Sequence, residues 1–551
     1  MNESKTSCAS TDQKWSTWES IDWNKCEIAV NKLQARIVKA QKAGKHGRVK
    51  SLQWVLTHSF YAKALAVKRV TSNSGSDTAG VDNEKWSTPN AKFKAIGELK
   101  RRGYNPQPLR RVNIKKSNGK LRPLGIPTMK DRAMQALYLF ALEPVSETTA
   151  DRHSYGFRKG RSTKDAIQQC FNVLSKENSP EWILEGDIKG CFDHISHQWL
   201  LNNIPMDKVT LRKWLKCGFV FHKELFPTEE GTPQGGIISP TLANMTLDGL
   251  QTILGEKYRR KSINGKDYSP KVNLVRYADD FIITGRDKET LEDIKVLVAE
   301  FLKERGLTLS EEKTQITHIE DGFDFLGFNV RKYNGKPLVK PSKKGLKKFM
   351  QKIRGIIDSN KGSKQESLIR LMNPVIKGWV NYYKNCVASD TFRKADYLIF
   401  EKLWQWAKRR HPKKGKYWIA DRYFTRIKNC NWCFVANIKK GKTDDRIALK
   451  RLYDTKIARY VKIKCEANPF DPDWTEYFEK RKTYKMLQSL NGQKSLLYMW
   501  ERQNRMCPVC GYPINQEQSW GTTQRIVNGR KVNLLLHDSC RRSVIQTNNK
   551  M

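Results

Sequence analysis

Histidine, acidic side chains and long apolar runs are all scarce in this chain. Nine histidines occur in 551 residues, and His537 is the sole one after residue 500. No segment approaches the ~20 apolar residues needed to span a bilayer, so a membrane partner is excluded from the reading. The first 30 residues, with Asp12, Glu19 and Asp22, lack an apolar signal core. These absences point to a cytoplasmic, nucleoid-associated protein of bacterial type. Internal repeats and long low-complexity tracts are missing, which excludes a solenoid. Acidic residues number 56 against 102 Lys plus Arg, a net charge of +46. Such an excess opposes self-compaction and favours a polyanionic partner. It runs from Lys25 to Arg542, as a long track would rather than a tail. The twelve cysteines are scattered apart from two Cys-x-x-Cys pairs. In a reducing compartment such pairs point to metal before disulfide.

The chain is too long for one core, so two to four domains are expected, and the mixture of helical and strand patterns along it makes the expected fold class α+β multidomain. Residues 24–69 read as helical, with Ile28, Leu33, Ile37 and Ala40 near one face. Ser72 to Asp77 is a loop by composition. Arg111 to Pro127 reads as a hairpin turning at Ser117-Asn118-Gly119. Trp182-Ile183-Leu184 leads a strand toward Asp187, and Val272 to Thr284 reads as two strands around Ala278-Asp279. Residues 343–411 read as basic helices, and a further basic region runs to about 495.

The candidate chemistry lies in the middle third. Asp187 follows an apolar strand, and Asp279-Asp280 sits between Leu274-Val275-Arg276-Tyr277 and Phe281-Ile282-Ile283. Carboxylates in such surroundings are costly to leave unpaired, and neighbours repel. A divalent metal resolves both costs. Two Mg²⁺ ions so held can activate a primer 3′-hydroxyl and stabilise a leaving pyrophosphate. An isolated Asp-Asp is usually a plain turn; the surrounding motifs argue otherwise here.

Those motifs come in order. They are Gly119-Lys120-Leu121-Arg122-Pro123-Leu124-Gly125-Ile126-Pro127, then Ser154-Tyr155-Gly156-Phe157-Arg158, then Asp187-Ile188-Lys189-Gly190-Cys191-Phe192-Asp193. Gly231-Thr232-Pro233-Gln234-Gly235-Gly236-Ile237-Ile238-Ser239-Pro240, Tyr277-Ala278-Asp279-Asp280, Gly306-Leu307 through Lys313 and Phe325-Leu326-Gly327-Phe328 follow. Residues from about 60 to 330 thereby resemble the reverse transcriptase domain of bacterial group II intron-encoded proteins. The resemblance implies that Asp187, Asp279 and Asp280 are the metal-binding catalytic carboxylates. It implies that Phe192 excludes a ribose 2′-hydroxyl by steric clash. Lys120 and Arg122 would bind the incoming triphosphate, Gln234 would approach the nascent base pair, and Lys313 would protonate the pyrophosphate, a plain surface lysine being the alternative. Asp193 is read as structural.

The resemblance continues. Leu371 to Tyr383 and Leu403 to Pro412 are similar to the maturase, or thumb, region of the family. Trp379, Trp404 and Trp406 are expected in its core. Lys377, Lys384, Lys408, Arg409 and Arg410 are expected to face RNA, whose phosphates and shape basic helices can read.

Cys507-Pro508-Val509-Cys510 and His537-Asp538-Ser539-Cys540, about 26 residues apart, have the spacing of a tetrahedral Cys₃His zinc site. The spacing resembles the His-Asn-His endonuclease module that ends many group II intron proteins. That family pattern wants a His-His pair where Trp520 to Ile526 stands, and a further His where Arg541 stands. No histidine is left for a general base. A folded, non-cleaving module is expected, gripping DNA through Arg525, Arg530, Lys531, Arg541 and Arg542. Cys430-Asn431-Trp432-Cys433 carries no recognised pattern and is read as structural.

The expected architecture is an N-terminal helical extension (1–75), right-hand fingers and palm (76–335) and an α-helical thumb (336–455). A basic DNA-binding region (456–498) and a small zinc module (499–551) complete it. The expected activity is RNA-directed DNA polymerisation with two Mg²⁺ ions and deoxynucleoside triphosphates. Intron RNA and target DNA are the expected partners, and a homodimer is left open. Two competing functions are kept: an RNA-binding splicing factor, and a domesticated reverse transcriptase in defence or repair.

Overall fold

The computed structural model describes residues 15–115, 119, 121–233, 235–263, 266–427, 430–440, 443–490, 493–515, 520–527 and 530–541. The chain divides into a large unit, Met1–Glu466, and a small one, Ala467–Met551.

The large unit begins with helices Trp23–Lys42, His46–His58 and Phe60–Thr71, which pack on the long helix Met129–Thr149. Asp22 caps the first, its side chain accepting from the Lys25 N–H at 2.9 Å. Ile37 and Ala40 are buried as expected, but Ile28 is 46 % exposed; Cys26 and Val30 occupy the inward stripe instead. The Ser72–Asp77 loop is held from below, because Arg132 donates to the carbonyls of Gly75 (3.0 Å) and Thr78 (2.6 Å).

Strands Leu121–Ile126, Leu109–Lys115, Phe219–Phe221 and Glu224–Phe226 form one sheet in that order. The Arg111 guanidinium lies 3.8 Å over the Phe219 ring, across the parallel pairing of the hairpin with the third strand. The second sheet orders Gln315–His318, Trp182–Asp187, Asp280–Gly285 and Asn273–Tyr277, all antiparallel. Its central strands bury Ile183, Leu184, Phe281, Ile282 and Ile283, in keeping with cover on both faces. Helix Lys288–Lys303, capped by Asp287, packs on the sheet and buries Leu291, Ile294, Val298, Phe301 and Leu302.

Strands Phe323–Phe325, Phe328–Tyr333 and Lys336–Pro341 form a small sheet. Helices Lys343–Ser359, Gln365–Tyr383, Ser389–Arg410 and Lys416–Tyr423 follow. The all-helical expectation for residues 336–455 is corrected here. Phe424–Ile427, Cys430–Lys440 and Thr443–Ala448 make a three-stranded antiparallel sheet, in keeping with the β-branched and aromatic residues of the first two strands. The expected boundary at 456 also shifts. Ile463 N–H donates to Asp165 at 2.8 Å, and Tyr460 and Ser162 hydroxyls lie 3.2 Å apart. Residues 456–466 are thus strapped to helix Thr163–Leu174 and belong to the large unit.

The small unit holds helices Thr475–Ser489 and Lys494–Arg502 and the hairpin Trp520–Val527/Arg530–His537. Met486, Leu490, Trp500, Ile514, Leu535 and Leu536 form its core. Gln503 acts as an extra rung beside the hairpin, accepting from Leu535 N–H (2.7 Å) and donating to Leu535 O (2.9 Å).

Candidate functional site

The antiparallel register of the central sheet sets Asp187 opposite Asp280. Tyr277 pairs with Asp280, leaving Ala278-Asp279 as the turn. Ala278 has φ of 58°, a conformation uncommon for a residue with a Cβ. The carboxylates crowd one another. Burial pushes Asp280 up to about 6, Asp279 and Asp187 add to the rise, and Lys313 opposes it. Burial also raises Asp279; its own backbone N–H opposes this, Asp187 reinforces it, and Arg122 and Lys313 counter it. Lys313 Nζ donates to Asp187 Oδ2 at 2.7 Å, and this bond raises the lysine's own pKa. Lys313 is nevertheless 64 % exposed, so the pair is a surface contact with a free approach.

Close packing fixes the turn. A Cβ on Gly156 would sit 2.3 Å from Ala278 N, so no other residue fits there without a shift. The segment carrying Gly156 runs beside strand Asn273–Tyr277: Tyr155 N–H donates to Arg276 O at 2.9 Å, and Arg276 N–H to His153 O at 3.0 Å. Gly186 is similarly covered by the Phe281 ring, 2.1 Å from where its Cβ would stand.

Phe192 stands beside Phe157, ring centroids 6.2 Å apart and nearly perpendicular. The Gly231-Thr232-Pro233 stretch is tied to the same segment, Thr232 N–H donating to Phe192 O at 2.6 Å and Gly231 N–H to Ile195 O at 2.8 Å. A Cβ on Gly235 would lie 2.8 Å from Gly125 O, so this loop meets the hairpin carrying Arg122. Lys120 and Gln234 lie outside the described residues, as does Arg542. Arg525, Arg530 and Lys531 lie on the hairpin strands, their side chains outside what the structure describes.

Sequence reasoning missed the support beneath the turn. Arg158 grips Glu147 with two 2.9 Å bonds and donates to Asp151 O (2.7 Å) and Ser154 O (2.8 Å). Arg161 joins the same carboxylate. Buried Arg276 pairs with Asp248, and Asn244 Nδ2 donates to Gly156 O at 2.8 Å. Burial pushes Asp248 up to about 7 against the pull of Arg276. Arg158 stood in a quoted motif, but Glu147 and Asp248 lie on elements with no local sign of the pairing.

On the thumb, Lys377, Lys408 and Arg409 are exposed. The other two expected RNA contacts are less free. Lys384 is half-buried, which lowers its pKa. Arg410 donates to the carbonyls of Lys361 (3.0 Å) and Ser363 (2.7 Å) and lies 4.7 Å over Trp406, so its guanidinium serves the fold. Trp406 is buried and donates to Asn360 O at 3.1 Å. Trp379 stacks on Phe349 at 4.5 Å; Trp404 is half-buried.

In the small unit, ligand atoms of Cys507, Cys510, His537 and Cys540 all lie within 4.8 Å of one another. His537 Nδ1 is 3.3 Å from Cys510 Sγ, and Nε2 is 3.2 Å from Pro513 O. One ring nitrogen thus faces the sulfurs while a carbonyl orients the other, as metal-bound imidazoles require. Burial raises the Cys507 thiol, but N–H donors of Cys510, His537 and Val509 outweigh it and bring it to about 7. Burial pushes Cys510 up to about 11. Among the described residues, Cys430 and Cys433 join no such group.

Residues 114–330 match the family described as reverse transcriptase (RNA-dependent DNA polymerase). Residues 18–99 match the N-terminal domain of reverse transcriptase, and 346–424 the group II intron, maturase-specific domain. Protein YkfC of Escherichia coli is 34 % identical over 305 residues, 48 % of this chain and 79 % of its own length. The group II intron-encoded protein LtrA of Lactococcus lactis is 32 % identical over 328 residues, 48 % of this chain and 54 % of its own. The putative COX1/OXI3 intron 1 protein of Saccharomyces cerevisiae is 29 % identical over 321 residues, covering 48 % and 38 %. The matched stretch therefore spans only part of each relative. No described helix is long and apolar enough to cross a membrane.

Proposed function

This chain belongs to the group II intron-encoded proteins, and on that premise we propose that it copies intron RNA into DNA and binds the folded intron as a maturase. One observation carries the polymerase reading. Asp187 and Asp280 are register partners at the strand ends, with Asp279 in the adjoining turn, and the crowding raises Asp279 and Asp280. Carboxylates so placed fit divalent cations, and Asp187, Asp279 and Asp280 would hold Mg²⁺. Bound Mg²⁺ supplies Lewis-acid activation of a primer 3′-hydroxyl and charge stabilisation of the leaving pyrophosphate.

The chain's own groups do the rest. Lys120 and Arg122 bind the triphosphate of the incoming nucleotide. Phe192 excludes a ribose 2′-hydroxyl. Gln234 lies along the nascent base pair. Lys313 keeps a proton on Nζ beside Asp187, in reach of a departing phosphate. Lys377, Lys408 and Arg409 contact intron RNA.

The Cys507, Cys510, His537, Cys540 group fits Zn²⁺ in donor type and spacing. Bound Zn²⁺ contributes folding free energy to the small unit. The module grips DNA without cutting it, since His537 is its one histidine and is committed to the cluster.

Primer extension on an RNA template, run beside intron splicing at moderate Mg²⁺, tests the division of labour. Asp279→Asn should abolish extension and spare splicing. A wild type that extends no primer sinks the polymerase reading; splicing that needs Asp279 sinks the separation of roles. Nicking of a DNA target that depends on the module would overturn its assignment as inactive.

A further inference from the structure

We propose that an aromatic hollow between helix Ser389–Arg410 and strand Cys430–Lys440 captures an unpaired base of single-stranded RNA. About half of its lining, Trp432 and Tyr453 included, lies beyond residue 424, where the match to the maturase-specific domain ends. The hollow has a volume of about 370 Å³, enough for a small flat ligand.

Its walls are rings. Phe400 and Phe424 have centroids 5.3 Å apart, and Trp432 meets them at 5.9 and 6.1 Å, near-perpendicular to each. Trp432 is nonetheless 53 % exposed, and Tyr453 at the rim is 43 % exposed. Neither is loose. Trp432 is wedged among Phe400, Phe424 and Trp404. Tyr453 is fixed from two sides: Asp396 accepts the N–H groups of Leu452 and Tyr453, each at 2.9 Å, and Arg393 donates to the Tyr453 hydroxyl at 3.2 Å. Rings that are exposed yet held are stacking platforms, since every base offers a π-face.

Charge selects among flat ligands. Arg393, Lys450 and Arg451 line the hollow, and Arg393 lies 4.9 Å over the Tyr453 ring. The lining holds one acid, Asp396, whose carboxylate already accepts the two backbone N–H groups. Arg393 and Arg451 also meet Asp390 (3.7 Å) and Asp454 (3.5 Å), but these are long, solvent-exposed pairs of small worth that leave the rim able to take a phosphate. An apolar molecule would not use this charge, and an acidic peptide lacks a broad planar face. A nucleotide within a strand has both the ring and the phosphate. Bases are free to enter only where RNA is unpaired. The inference rests on the maturase reading, because the strand reaches the hollow from RNA bound by the basic helices.

The test uses the full chain with a single-stranded RNA of about 12 nucleotides carrying 5-iodouridine, and a duplex RNA of the same length. Irradiation should cross-link the single strand to Trp432 or Tyr453. Trp432→Leu should weaken single-strand binding about 5- to 100-fold, and Trp432→Phe should restore it to within about 3-fold. Duplex binding and primer extension should not change, which shows the variants are folded. Cross-links only elsewhere, with Trp432→Leu and Tyr453→Leu binding like wild type, overturn the hollow but leave RNA binding intact. A wild type that binds no RNA overturns both. Equal displacement by single-stranded DNA of the same sequence overturns the assignment to RNA.

Discussion

The central sheet and the C-terminal cluster both gather carboxylates or thiols from distant positions, but they manage charge differently. In the palm, burial and mutual repulsion raise Asp279 and Asp280. In the cluster the two thiols diverge: backbone N–H groups bring Cys507 down to about 7 despite burial, while burial pushes Cys510 up to about 11. The frames differ too. The palm rests on the large core that includes Leu184, Phe281, Ile283 and the helix Lys288–Lys303. The small unit has a core of few residues around Trp500 and Leu535. A frame with a large core can hold unfavourable charge by packing alone; in the small unit, zinc on the proposed site would add folding free energy that the small core lacks.

Removing a palm carboxylate is the strongest way to sharpen that contrast. Asp279→Asn should lower primer extension about 10³-fold or more, a loss of about 4 kcal/mol of transition-state stabilisation. Its melting temperature should hold or rise, because a repulsive charge is gone. A variant that unfolds would mean the triad is part of the frame.

Chelation, or Cys507→Ser, should do the reverse. Proteolysis within residues 467–541 should speed up about 100-fold, equivalent to about 2.7 kcal/mol, while primer extension on a free template stays within about 2-fold. Equal protease resistance with and without zinc would break the comparison.

Packing of the turn comes next. Gly156→Ala places a Cβ 2.3 Å from Ala278 N. It should cost about 1–3 kcal/mol by overpacking, read by denaturant titration, and reduce extension about 10-fold by shifting Asp279. Unchanged extension would show that the turn tolerates displacement.

The smallest effect is on pH. Asp280 titrates near about 6 in the fold, above the ordinary value of ~4. The fold therefore favours the protonated carboxyl, and that stability is lost as pH rises through the two values. Solvent reaches Asp280, so screening keeps the change small. Metal binding needs the carboxylate, so extension should fall as pH drops through about 6. Added Mg²⁺ should raise the melting temperature more at pH 7 than at pH 5. A rate profile flat from pH 5 to 8 would remove Asp280 from the metal site.

Local patterns made much of this legible. The hairpin around Ala278-Asp279 and the strand into Asp187 follow from short apolar runs that end in acids. The Cys and His spacing pointed to the cluster without help from the fold. Strand residues 424–448 went unread, because their basic and polar positions resemble a continuation of the helical thumb. Ile28 misled because the helical stripe runs through Cys26 and Val30, one face around.

By itself, the sequence determined which carboxylates could hold metal, the donor types of the Cys₃His group and the excess of positive charge; these depend on residue type and short spacing. Only the tertiary structure decided that Asp187 faces Asp280 and that Glu147 and Asp248 clamp Arg158, Arg161 and Arg276. It alone turned Arg410 inward and set Trp432 beside Tyr453. Such pairings join residues far apart in the chain, and the packing that selects them leaves no periodic trace in either partner.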